Sequence, residues 1–207
     1  MVVIGIVGGI ASGKSLVSEQ LRELGAEVIS ADRIGHEVLL EAEVQAALRA
    51  RWGEAVFDSH GRPDRAAIAR RVFDPVHGPE ERRFLESLSH PRIRARMQAQ
   101  LQDFRSRQVP AVVLDAALLF EAGWNALCDH VLFVDTPAEQ RRERAAKRGW
   151  TANELATRES AQLPLEEKRR RCTSAIDNSR TVGHTWAQIQ LFWQTVGCPS
   201  PLPARPN

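Results

Sequence analysis

The sequence predicts an α/β fold: a five-stranded parallel sheet in a three-layer arrangement with helices, carrying a helical insertion and a later helical segment. Three observations predict it. Residues 2–7 (VVIGIV) are rich in β-branched side chains, read as a buried strand, and run straight into a glycine-rich turn. Further short apolar runs at 26–30, 111–115, 130–135 and 174–177 have strand length. Residues 33–108 carry mostly helical patterning, with no long apolar strand among them.

Taken in order, residues 14–24 form a helix after the turn, with Leu16, Val17, Leu21 and Leu24 near helical spacing and Gly25 as its terminator. With the strand at 26–30 the chain opens strand–loop–helix–strand, the start of a parallel sheet. The insertion at 33–108 has turn signals at 58–63 and 74–79. After the third and fourth strands come a helix at 137–148 that opens on proline, then helices at 151–162 and 164–172, the fifth strand, and a closing helix at 182–196. The tail, 199–207, has four prolines in nine residues and is expected to be disordered. The division that follows is a core of 1–32, 109–136 and 174–198, an insertion of 33–108 and a helical segment of 137–173.

Composition narrows the function classes. The chain has 207 residues, 43% of them hydrophobic, enough for one proper core. Its 28 Lys and Arg nearly balance 26 Asp and Glu, a net charge of +2 that does not point to nucleic acid or an anionic membrane. No apolar run is long enough to span a bilayer, and no signal-peptide pattern opens the chain. Cys128, Cys172 and Cys198 lack metal-ligand spacing and read as free thiols, which suits a reducing cytoplasm.

The strongest motif is Gly8-Gly9-Ile10-Ala11-Ser12-Gly13-Lys14-Ser15, which fits G-x-x-x-x-G-K-[ST] between a buried strand and a helix. A chain of average composition and this size carries the bare pattern with a probability of about one per cent. Backbone N–H groups of such a loop close on phosphate oxygens, and the helix directs its positive end at the anion. Lys14 supplies a cation for the outer phosphates and Ser15 a hydroxyl for Mg²⁺. The dinucleotide pattern G-x-G-x-x-G is absent, as is the Asn-Lys-x-Asp base-reading motif of GTPases. A compact chain with one such loop and basic helices late in sequence suits a small-molecule kinase using ATP and Mg²⁺.

Three further places bear on that chemistry. Arg141, Arg144 and Arg148 stand at i, i+3 and i+7, either a lid face aimed at phosphates or a solvated basic face. Asp32, just past the second strand, either accepts a proton from a substrate hydroxyl or caps a helix starting near Arg33. Asp115, ending the third strand, either holds Mg²⁺ through water or serves as a turn carboxylate. The basic run at 168–171 reads as a solvated helix end, and Trp186, Phe192 and Trp193 as core positions of the last helix. His90, before Pro91, reads as a residue that caps or turns a helix.

With those residues placed, the chain resembles the dephospho-CoA kinase family from Val3 to about Ile189. The opening IGIVGGIASGKS, the VISAD that ends on Asp32, Gly61-Arg62-Pro63-Asp64-Arg65 with Val72-Phe73 and His90-Pro91, and VVLDAALLFEAG at 112–123 carry the likeness. Arg144 and Arg148, then Arg158, Ala161-Gln162 and Ile176-Asp177-Asn178, continue it in the family's order. The resemblance implies a three-layer P-loop kinase fold with a helical acceptor-binding insertion and a helical lid. It implies ATP-dependent phosphorylation of the ribose 3′-hydroxyl of dephospho-CoA. Lys14, Asp32 and Arg144 would be catalytic; residues 8–16 (through Leu16), Arg148 and Asn178 would bind ATP, with Asn178 near the adenine. Asp32, Arg65, Phe73, His90, Leu118 and Glu121 would meet the acceptor, and Ser15 and Asp115 the magnesium. The expectation is a cytoplasmic protein, a monomer or small homo-oligomer, acting on ATP and dephospho-CoA with neither nucleic acid nor membrane as partner.

Departures from the family pattern are Ser30 for an aspartate, Ala117 for a proline, Arg180 for a glycine, and Arg141 where a lid glutamine usually stands. Two other readings stand beside this one: a related kinase with another acceptor, and a nucleotide-binding regulator without turnover. A pure binder has no need of Asp32 and Arg144.

Overall fold

The computed structural model describes residues 1–198, and the expectation of a disordered tail at 199–207 lies outside them. Among the described residues two compact units form: 1–30 with 100–198, and Ala31–Ala99.

In the first unit, β1 (Val2–Gly8), β2 (Ala26–Ser30), β3 (Ala111–Asp115), β4 (His130–Asp135) and β5 (Ser174–Asp177) form one sheet in the order β2-β3-β1-β4-β5. Every pairing is parallel. The strands fall where the apolar runs predicted them. β1 is central and buried along nearly its whole length, which is why it reads as continuous β-branched residues rather than an alternating pattern.

Alternate β1 residues Ile4 and Ile6 meet α1 (Lys14–Glu23) and α9 (Val182–Thr195) in one core with Val17, Leu21, Leu132, Ile189, Phe192 and Trp193. The apolar reading of Phe192 and Trp193 therefore holds, and Trp186 packs against the same cluster. On the opposite face of β1, a Cβ on Gly5 would meet Leu119 Cδ2 at 2.6 Å and Cys128 Sγ at 2.8 Å. Glycine there lets that layer approach the sheet.

Helical bounds shift from the sequence reading in instructive ways. The helix predicted at 137–148 is α6 (Ala138–Ala146), with Pro137 as N-cap. Gly149 (φ 81°) ends it: its N–H bonds the Ala146 carbonyl and that of Trp150 the Ala145 carbonyl, a Schellman arrangement. The helix predicted at 151–162 is α7 (Ala152–Ser160), opened by a Thr151/Glu154 capping box. That at 164–172 is α8 (Leu165–Arg170). The three cysteines are free, and burial pushes the Cys128 and Cys172 thiols up to about 12.

The second unit is helical. β2 passes without a loop into α2 (Ala31–Val38), followed by α3 (Ala42–Trp52) and α4 (Arg65–Val72). α5 (Gly78–Ser106) begins in this unit and runs through its end. The predicted turns are present: Gly61 takes φ 71° in the first, and Asp74 accepts the Val76 and His77 N–H groups in the second. Ile34, Val38, Val44, Leu48, Trp52, Ile68 and Val72 are buried, and Trp52 packs edge-on against Phe84.

Candidate active site

Parallel register gathers the informative residues of the first unit at the carboxyl ends of its strands. Ile6 of β1 and Ser30 of β2 both pair with Asp115 of β3, and Asp135 of β4 pairs with Asp177 of β5. Ligands of open α/β sheets bind at that edge. Here β1 gives way to the phosphate-loop sequence, and Gly13 (φ 99°) caps α1 without any side-chain cap or acidic residue in the first turn. The positive end of α1 is therefore left to an anion. Lys14 Nζ curls back to the carbonyls of Gly8 (3.2 Å) and Gly9 (3.0 Å). Ser15 is exposed at the second residue of α1, and Leu16 is half-buried beside it. Ala11 takes a positive φ of 60°, and Ser12 Oγ is buried with no hydrogen-bond partner among the described residues.

The three arginines of the 141–148 segment stand unequally toward this loop. Arg144 Nη1 donates to the Ser12 carbonyl (3.2 Å) and its Nη2 to the Asn178 carbonyl (3.0 Å). Arg141 is buried, ion-paired with Glu159 of α7, and donates through Nε to the Thr136 carbonyl. A Cβ on Gly9 would meet Arg141 Nη1 at 2.6 Å, so this guanidinium lies against the phosphate loop. Arg148 lies past the end of α6 and is exposed. The expectation of a single three-arginine helix face is thus corrected: the Schellman turn ends the helix before Arg148. The simple solvated-face alternative fails as well, because Arg141 and Arg144 are held inward.

Asn178 is 3% exposed. Its Nδ2 donates to the Ser12 carbonyl (2.7 Å) and its Oδ1 accepts from Thr185 Oγ1 (2.9 Å). Thr136 Oγ1 donates to the same Ser12 carbonyl at 2.8 Å. The departure at Arg180 is absorbed at the surface, where Arg180 pairs with Asp177.

After β3, the half-buried Leu118 and Glu121 lie in a turn segment. Glu121 Oε1 accepts from the Leu163 N–H (2.8 Å) and pairs with Lys168 Nζ (2.9 Å). Lys168, 1% exposed, also donates to the Ala117 carbonyl and to Gln162 Oε1. The reading of 168–171 as a solvated helix end is therefore wrong for Lys168. Its partners lie up to 51 residues away in sequence, which no helical pattern could show. Glu121 ties the segment after β3 to the root of α8.

In the second unit, Asp32 is exposed inside the first turn of α2, which begins at Ala31 rather than near Arg33, so it is no helix cap. Arg65 is exposed at the first residue of α4, behind the Asp64 N-cap. Both charges act on His36: partial desolvation and then Arg65 hold its imidazole below the usual range, while Asp32 pulls it up. His36 was not among the predicted site residues, although it stands one turn from Asp32. Phe73 is the C-cap of α4, with the Arg82 guanidinium 5.2 Å from its ring. His90 and Pro91 sit inside α5, so the capping alternative for His90 is also corrected.

Residues 2–183 match the family model for dephospho-CoA kinase. A dephospho-CoA kinase of Symbiobacterium thermophilum is 41% identical over 94% of this chain and 81% of its own length. One from Deinococcus radiodurans is 41% identical over 85% of this chain and 83% of its own. Among solved structures, TT1252 from Thermus thermophilus superposes with a TM-score of 0.79 at 34% identity, over 94% of this chain and 97% of that one. A shikimate kinase from Acinetobacter baumannii, at 16% identity and a TM-score of 0.52, shares the fold alone. A phosphate loop met by an inward-held arginine, on a sheet of this order and within a match this long, places the chain in the dephospho-CoA kinase family.

Proposed function

We propose that this protein transfers the γ-phosphoryl group of ATP to the ribose 3′-hydroxyl of dephospho-CoA, giving coenzyme A and ADP. Beside family membership, the observation that carries this reading is Arg144, a helix α6 side chain whose guanidinium is already seated on the Ser12 carbonyl of the phosphate loop. Phosphoryl transfer needs positioning and charge stabilisation more than covalent chemistry. Residues 8–16 hold the ATP phosphates, Lys14 meets the outer ones, and Arg144 stabilises charge on the group in transfer. Asp32 accepts the hydroxyl proton as that oxygen bonds phosphorus and the bond to the ADP oxygen breaks. Arg65, Phe73, His90, Leu118 and Glu121 belong to the acceptor side, and Arg148 to the nucleotide side. Acceptor choice resides chiefly in the helical insertion, with Leu118 and Glu121 contributing from the segment after β3.

The donor set suits Mg²⁺: the exposed Ser15 hydroxyl and the half-buried Asp115 carboxylate are hard oxygen ligands. When bound, the ion neutralises charge on the phosphates. Ser15 and Asp115 are the residues that would hold it. No helix among the described residues is long and apolar enough to cross a membrane. The reading makes this a cytoplasmic enzyme acting on small molecules.

The test is ADP formation by the purified protein with Mg-ATP, with dephospho-CoA offered beside adenosine, AMP and shikimate. Strong stimulation by dephospho-CoA alone, with coenzyme A as product, is expected. Tight ATP binding without that stimulation would overturn the acceptor assignment.

A further inference from the structure

The Ser12 carbonyl receives more donors than any ordinary loop carbonyl needs. Asn178 Nδ2 (2.7 Å), Thr136 Oγ1 (2.8 Å) and Arg144 Nη1 (3.2 Å) converge on it. Ser12, Asn178, Thr136 and Thr185 are all buried, from 0% to 6% exposed, so these bonds form away from solvent, where an unpaired partner is penalised most. A carbonyl only accepts, so the amide nitrogen of Asn178 must face Ser12. Its oxygen is then held by the Thr185 hydroxyl of α9 (2.9 Å), which stops the amide from turning over. Asn178 is itself located by its N–H bond to the Asp135 carbonyl (2.8 Å), which continues the β4–β5 pairing.

The consequence lies on the other side of the peptide. In a planar trans peptide the C=O and the next N–H point in opposite directions. Clamping the Ser12 oxygen therefore aims the Gly13 N–H away from the clamp. Gly13 fits this tight seat only because it lacks a side chain: φ is 99°, and a Cβ would meet Asn178 Nδ2 at 2.1 Å. Several donors on one oxygen also polarise the peptide and strengthen its N–H as a donor.

We propose that Asn178 is a positioning residue of the phosphate loop. With Thr136 and Thr185 it clamps the Ser12 carbonyl and so directs the Gly13 N–H at the nucleotide phosphates, rather than reading the adenine base. The resemblance to the family would put Asn178 beside the base, yet both polar atoms of its amide are engaged inside the protein. The clamp rests on the kinase reading only in taking the loop to bind phosphates.

The probe is inorganic tripolyphosphate, which has the phosphates of ATP and no base. Dissociation constants for ATP and tripolyphosphate are measured on the full chain and on Asn178→Ala, Thr185→Val and Thr185→Ser. Asn178→Ala is expected to weaken both ligands by the same factor, about tenfold, and Thr185→Val by about threefold, the range of lost buried hydrogen bonds. Thr185→Ser, which keeps the hydroxyl, restores both. The ratio of ATP to GTP affinity stays unchanged. Weaker ATP with unchanged tripolyphosphate would make Asn178 a base reader and overturn the proposal; so would no change in either. If Asn178→Ala does not fold by circular dichroism, the near-isosteric Thr185→Val and its serine rescue decide by the same criteria. Failure of the kinase reading would show separately, as no ADP formed by the unaltered protein with dephospho-CoA, and it leaves the tripolyphosphate comparison intact.

Discussion

The sheet unit buries a set of locked polar side chains, beside ordinary surface pairs such as Arg22–Glu19, that has no equal among the ion pairs of the helical unit. In the sheet unit polar side chains go inside and are locked: Arg141 onto Glu159, Arg144 and Asn178 onto Ser12, Lys168 onto Glu121. In the helical unit the ion pairs are more open to solvent, each with at least one arginine about a third or more exposed. Arg96 bridges Glu37 and Glu41, Arg92 bridges Glu41 and Glu43, and Arg51 bridges Glu80 and Glu81. The difference teaches where preorganisation resides. A phosphate cradle acts through backbone groups that must already point correctly, and buried hydrogen bonds set that direction. A helical unit stitched by exposed pairs is held mainly by its apolar core.

The largest expected effects separate the two units by chemistry. Asp32→Asn should keep ATP affinity while turnover falls by about 10²–10⁴-fold, the usual range for a lost general base. Lys14→Ala should lower both nucleotide affinity and turnover, the latter by about 10²–10³-fold. Calorimetric ATP binding beside steady-state rates checks both. Unchanged turnover in Asp32→Asn would remove Asp32 from the mechanism.

Next in size is Lys168→Met. It leaves the half-buried Glu121 carboxylate opposite an uncharged side chain and should destabilise the protein by up to about 3–5 kcal/mol in urea unfolding. Adding Glu121→Gln should recover much of that loss. A change under 1 kcal/mol would mean that the pair is hydrated in solution. Its counterpart in the helical unit, Arg96→Gln, should cost about 1 kcal/mol or less and lose even that at high salt. An equal loss from both variants would erase the contrast between the units.

The smallest effect is on pH. Burial holds the His90 imidazole below its usual value of 6.5, against a smaller upward pull from Glu86. Because the folded state resists protonation, this stability is complete above 6.5 and is lost as pH falls from there through the depressed native value. Melting temperature should therefore drop on acidification below 6.5, and His90→Gln should flatten that slope. An identical slope in the variant would assign the acid sensitivity elsewhere.

What the sequence determined by itself were the features written in local pattern. The five strands are short β-branched runs, and the phosphate loop is a contiguous motif whose glycines, lysine and serine each have a local physical reason. The order of elements, and the family that shares it, follow from the same contiguous blocks. Tertiary structure decided which charged side chains face inward. Arg141, Arg144 and Arg148 look alike by spacing, yet a turn at Gly149 and the partner Glu159 bury the first and leave the last exposed. Lys168 stands in a basic run that resembles any solvated helix end, and only Glu121 and the Ala117 carbonyl draw it inside. Asn178 is a polar residue after a short strand until Ser12, Thr136 and Thr185 meet around it. Burying a polar or charged group is favourable only when its partners arrive from elsewhere in the chain. That arrival is a property of the folded molecule and not of any local stretch of sequence.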